Sequence, residues 1–215
     1  MKERPVIFNS EMVRAILDGR KTQTRRAISD RHLHLIDVAS QVGECYPLES
    51  GIDHANSQSY YREHCPFGQI GDRLWVRETF AAFDADWKHP GKPHDLKDGP
   101  WPNVVYPASV AKIPDGTCRP SIHMPRWASR ITLEITAVRV ERLNDISQED
   151  AQAEGMELTG WVPSYSNPDN AGFDETFTPY DNFAMLWESI YGEESWRANP
   201  WVWVIEFRRL EAQHG

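Results

Sequence analysis

Residues 131–142 read Ile131-Thr132-Leu133-Glu134-Ile135-Thr136-Ala137-Val138-Arg139-Val140-Glu141-Arg142. Apolar side chains alternate at Ile131, Leu133, Ile135 and Ala137, the period of a strand with one buried face. Val138, Val140 and then Arg142 take the opposite phase, so a bulge or a barrel corner is expected where the phase changes. Downstream, Asn199-Pro200 leads into a nearly continuous apolar run from Trp201 to Phe207, which suits a strand buried on both faces. Upstream, the Gly71-Asp72 turn feeds a strand over 74–80, with Leu74, Val76, Glu78 and Phe80 on one face.

Three helices complete the pattern. Ser10 is the predicted cap of the first, with Met12, Val13, Ile16 and Leu17 on one face and Gly19 as its stop. Ser147-Gln148-Glu149-Asp150 is a capping box, and Gly155 closes its short helix just after Glu154. Thr178-Pro179-Tyr180-Asp181 supplies a cap, an N1 proline and an N3 acid ahead of Phe183, Leu186, Trp187 and Ile190. The stretches 29–66, 84–125 and 157–177 lack sustained period and read as long loop insertions; 84–125 alone holds eight of the fifteen prolines. With no repeat and no strand-helix alternation, the expected class is α+β: a small barrel or curved sheet flanked by short helices, in a single domain over 1–210 with a tail at 211–215.

The 215 residues carry 23 basic and 32 acidic side chains, a net charge of −9. Forty per cent are hydrophobic, enough to bury a core, yet no run is long enough to cross a membrane. Met1 to Phe8 is too short and too charged for a signal peptide, so a cytoplasmic location with no membrane partner is expected. The acidic balance disfavours a protein that holds long nucleic acid by charge alone. Cys45, Cys65 and Cys118 form no C-x-x-C pair, and with His32, His34, His54 and His64 they match no compact ligand spacing, so neither a metal nor a cofactor is indicated.

Against that balance, Arg20, Lys21, Arg25 and Arg26 place four cations within seven positions. Most such runs are solvated, and cations also suit a helix C-terminus. Lys21 and Thr24 can meet only if the backbone turns, because an extended strand would set them on opposite faces. Neighbouring guanidinium groups push a lysine pKa down, and a neutral amine can activate a hydroxyl. Glu78, in phase with an apolar face, either enters a cavity or pairs with Arg77, Arg26 or Arg130. His123, Arg126 and Trp127 either hold a nucleobase and phosphate or form a packed loop.

The helix ending in Gly19-Arg20-Lys21-Thr22-Gln23-Thr24, the segment Gly71-Asp72-Arg73-Leu74-Trp75-Val76, the element Glu154-Gly155-Met156 and the closing Val204-Ile205-Glu206-Phe207 together resemble an ASCH domain. The resemblance implies a PUA-like β-barrel. Small bacterial members hydrolyse the amide of N4-acetylcytidine, and others are associated with RNA binding or ribonuclease activity. It implies Lys21 as base, Thr24 as nucleophile and Glu154 as the group that orients Lys21 or handles the proton. The three insertions make this chain similar to the longer ASCH proteins of phages and prophages. The expected activity is therefore an amidohydrolase acting on an acylated nucleoside or nucleotide, with a non-catalytic RNA- or DNA-binding module or a ribonuclease as the alternatives. Arg20, Arg25, Arg26, Glu78, His123, Arg126 and Trp127 are the candidates for substrate contact.

Overall fold

The structure, a computed structural model, describes residues 1–50, 55–92, 94–110, 112–113, 117–156 and 178–211. Its elements in chain order are β1 (Glu3–Ile7), α1 (Ser10–Leu17), β2 (Gln23–Ala27), α2 (Asp30–Gln41), α3 (Ala55–His64), β3 (Arg73–Arg77), β4 (Ala81–Phe83), β5 (Asn103–Val105), β6 (Thr132–Arg142), α4 (Gln148–Ala153), α5 (Pro179–Tyr191), α6 (Glu193–Arg197) and β7 (Trp201–Leu210). The class is mixed α+β. Five strands form one sheet in the order β1-β3-β6-β7-β2, and β4 pairs with β5 apart from it. The sheet is open where a closed barrel is expected from the sequence: β1 and β2 are its edges, with no pairing between them among the described residues. The outer edge of the chain entering β2 is taken instead by the end of α4, where Lys21 bridges Glu154 and Thr22 N donates to Ala153 O at 2.8 Å.

The described chain forms two compact units. The first comprises Met1–Gly19, Asp72–Glu134 and Arg208–Gly215. Here β1 lies parallel to β3, from Glu3 opposite Arg73 to Ile7 opposite Arg77, and β3 lies antiparallel to the start of β6. The cap of α1 is Asn9 rather than Ser10: its side chain accepts from Met12 N at 2.8 Å. β3 ends at Arg77, three residues short of the predicted end, because Phe80 leaves to bridge Arg119. Most of the described part of 84–125 is irregular, in keeping with its prolines, but it adds β5 and closes over a core of Phe80, Ala82, Leu96, Met124 and Ala128.

The second unit comprises Arg20–Gly71 and Ile135–Phe207. Buried positions in β6 are Leu133 and Ile135, then Val138 and Val140, which is the predicted change of phase. β7 buries Val202, Trp203, Val204, Ile205 and Phe207, hence both faces. The 29–66 stretch is not a loop: it holds α2 and α3. In α3 the buried Ser57 and Tyr61 are spaced four apart, while Gln58 and Arg62 bond the backbone of Val140 and Val138 at 3.2–3.3 Å. A polar helix is stable there because it satisfies the edge groups of a strand. The 157–177 stretch lies outside the described residues.

Candidate functional site

β2 is the polar segment Gln23-Thr24-Arg25-Arg26-Ala27, paired antiparallel with β7 so that Thr24 faces Ile205 and Arg26 faces Trp203. Its first three residues are buried. Side-chain contacts fix the two faces. Gln23 Nε2 donates to Asp150 O at 2.8 Å, and Arg25 reaches Asp150 Oδ2 at 2.8 Å, so these two point towards α4. Strand alternation puts Thr24 and Arg26 on the other face.

Lys21 lies just ahead of β2, held in register by its bridge to Glu154. Its Nζ donates to Glu154 Oε2 at 2.6 Å and to Glu154 O at 3.0 Å, with the lysine side chain 0% and the glutamate 2% exposed. Glu154 is placed by the short helix before it. Ser147 caps α4 by accepting from Asp150 N, Glu154 is the C-terminal cap, and Gly155 follows at φ +99°, a conformation that favours glycine. Burial is the main cause that lowers the Lys21 pKa; Glu154 opposes it, and Arg26 and Arg25 add to the lowering. Cations from both faces of β2 thus act on one amine.

The second oxygen of Glu154 accepts from Arg25 Nη1 at 3.3 Å. Arg25 Nη2 also meets Glu141 and Asp150, and its side chain is fully buried, with its guanidinium 5.8 Å from the Phe183 ring centre. Arg139 joins from β6, bonding Glu141 at 3.0 Å, Asp150 at 2.7 Å and Glu206 at 2.5 Å. Among the described residues three cations and four carboxylates therefore form one network, running inward from partly exposed Glu206 to buried Lys21. Burial works against ionised Asp150, but Arg139 and Arg25 outweigh it and hold its pKa below the usual value. Arg139 is held above its own by Glu141, Asp150 and Glu206, again against burial.

The structure brings Lys21, Arg25 and Glu154 together, and Arg20 joins them through a 2.9 Å bond from Nη1 to Gly155 O. Thr24 is buried on the Arg26 face of β2. Glu78, His123, Arg126 and Trp127 belong to the first unit. There Arg130 grips Glu78 at 2.8 and 2.9 Å and lies 4.1 Å from the Tyr106 ring centre, so Glu78 takes the paired state. The Tyr106 hydroxyl is pushed up to about 12, by burial first, with Arg130 opposing and Glu78 adding. Trp127 packs against the Phe80–Leu96 cluster and donates to Leu96 O at 2.9 Å, while Arg126 pairs with Glu3 and His123 is exposed.

Glu141, Asp150, Arg139 and Glu206 are absent from the sequence-derived candidates. The available signal was Arg139 and Glu141 alternating within an apolar strand, charges that need partners if the strand is central. Among the described residues no three His, Cys, Asp or Glu side chains group as a metal site. Comparison with protein-family models, with curated proteins and with solved structures returned no match.

Proposed function

We propose that the chain is an ASCH-type amidohydrolase that removes an acyl group from a modified nucleoside or nucleotide of the N4-acetylcytidine kind, with Lys21 as the base. The carrying observation is the 2.6 Å contact of Lys21 Nζ with Glu154 Oε2 in a site where burial favours the neutral amine. Lys21 takes the proton of the Thr24 hydroxyl, whose oxygen attacks the acyl carbon. The C–N bond then breaks as the proton passes to the departing amine, and water releases the acyl group from Thr24. Glu154 holds the amine in place and stabilises its charged form after proton transfer. The engagement of Arg25 by three carboxylates supports a small substrate over a long nucleic acid, since that guanidinium is already answered inside the protein.

The test is incubation of the pure protein with a panel of acylated nucleosides and, separately, with labelled RNA. Release of the free nucleoside, abolished in Thr24→Ala, is the expected result. Turnover that survives Thr24→Ala would replace the threonine by water activated at Lys21. Salt-sensitive RNA binding with no hydrolysis, or a cut strand, would favour the binding module or the ribonuclease.

A further inference from the structure

The face of β2 and β7 that carries Thr24 and Arg26 also carries Trp203 and Ile205. Trp203 stands opposite Arg26, two residues along β7 from the partner of Thr24. Such diagonal neighbours are about 7–8 Å apart between Cα atoms, within reach of an aromatic side chain. Trp203 is 1% exposed, yet among the described residues its indole Nε1 has no hydrogen-bond partner. A buried donor left without a bond is unfavourable, and a native protein keeps few of them. Two other buried donors without a bond stand differently. Arg25 Nε belongs to a guanidinium whose remaining nitrogens bind three carboxylates, and Trp187 Nε1 lies on α5, packed beside Phe183 and Tyr191. Of these three donors only Trp203 shares a strand face with the proposed nucleophile, a face it has in common with Arg26.

We infer that the Trp203 indole N–H donates to the acyl carbonyl oxygen of the substrate, helping to hold the negative charge that develops there as Thr24 attacks. This rests on the amidohydrolase reading. A donor fixed in a water-poor site before substrate arrives needs no reorganisation when the charge forms, the condition under which one hydrogen bond accelerates acyl transfer most. Arg26, opposite Trp203 and close enough to lower the Lys21 pKa, ties this face to the base.

The test is Trp203→Phe, which keeps an aromatic ring and deletes the donor, assayed with N4-acetylcytidine. We expect kcat to fall about 10²-fold with KM nearly unchanged, the scale of losing one oxyanion donor. Thermal unfolding should hold or rise, since an unsatisfied donor is removed. A kcat within about threefold of wild type, or a loss carried by KM alone, overturns the inference while the amidohydrolase reading stands. Absence of wild-type turnover sinks both. Should Trp203→Phe fold poorly, the Thr24→Ala protein labelled with 15N at indole nitrogens replaces it. N4-acetylcytidine must then shift one buried indole N–H resonance downfield; unchanged indole signals at saturating ligand overturn the inference.

Discussion

Replacing Glu154 by glutamine removes a carboxylate that meets Lys21 Nζ at 2.6 Å and Arg25 Nη1 at 3.3 Å, all three side chains being 2% exposed or less. Deleting one partner of a buried ion pair is destabilising by about 3–5 kcal/mol. Two effects reduce the loss. Arg25 keeps Glu141 and Asp150, and Lys21, already favoured in its neutral form by burial, can shed its proton instead of remaining an unpaired buried cation. The expected loss at neutral pH is about 2–3 kcal/mol, or roughly 4–12 °C in Tm for a chain of this size. Its pH dependence carries the sign of the Lys21 shift. A lysine whose folded pKa is lowered makes stability rise with pH, because the unfolded chain binds the proton more tightly. Losing Glu154 lowers that pKa further, so the difference between variant and wild type is largest at low pH and closes as pH climbs through the wild-type Lys21 pKa, below 10.5. Urea unfolding at neutral and alkaline pH measures it. A difference under about 0.5 kcal/mol at neutral pH, or one that does not shrink on going alkaline, would refute the reasoning.

The double variant Lys21→Met, Glu154→Leu removes both charges together and should unfold within about 1–2 kcal/mol of wild type while lacking hydrolysis, as urea unfolding and the N4-acetylcytidine assay will show. Asp150 has a lowered pKa, so its contribution is present above 3.8 and is lost as pH falls through the folded value; Asp150→Asn should flatten the acid limb of the stability profile there. Thr178→Ala breaks the capping box of α5 and should lower stability by about 1 kcal/mol, seen as a smaller urea midpoint at unchanged slope. Gly155→Ala forces a side chain onto φ +99°, costing about 1–2 kcal/mol, and should reduce turnover along with stability because Glu154 is the preceding residue.

What the sequence made legible was local. The cap of α5, with Thr178, Pro179 and Asp181, the phase change in β6 and the apolar run of β7 each depend on neighbours within one element, and all three are present. β1 escaped notice because only Val6 of its five residues is buried and its parallel partner, Arg73–Arg77, lies some 70 residues on. β2 escaped because hydropathy registers Arg25 as a surface charge, whereas carboxylates at 141, 150 and 154 make it an interior one. The same long-range pairing hid α3, whose polar Gln58 and Arg62 satisfy the edge of β6. Within the site, Lys21 and Glu154 were reachable through the resemblance, and the predicted downward shift of Lys21 agrees in direction. Burial, rather than the arginines, is its largest cause.

The pH profile of N4-acetylcytidine hydrolysis, taken side by side for wild type and Lys21→Arg, tests the role of Lys21 most directly. A guanidinium keeps the charge beside Glu154 but cannot serve as a base. Wild-type kcat/KM should rise to a plateau through an apparent pKa below 10.5, and Lys21→Arg should give no turnover at any pH. Turnover by Lys21→Arg with the same profile would show that Lys21 is an electrostatic anchor and that another group takes the proton.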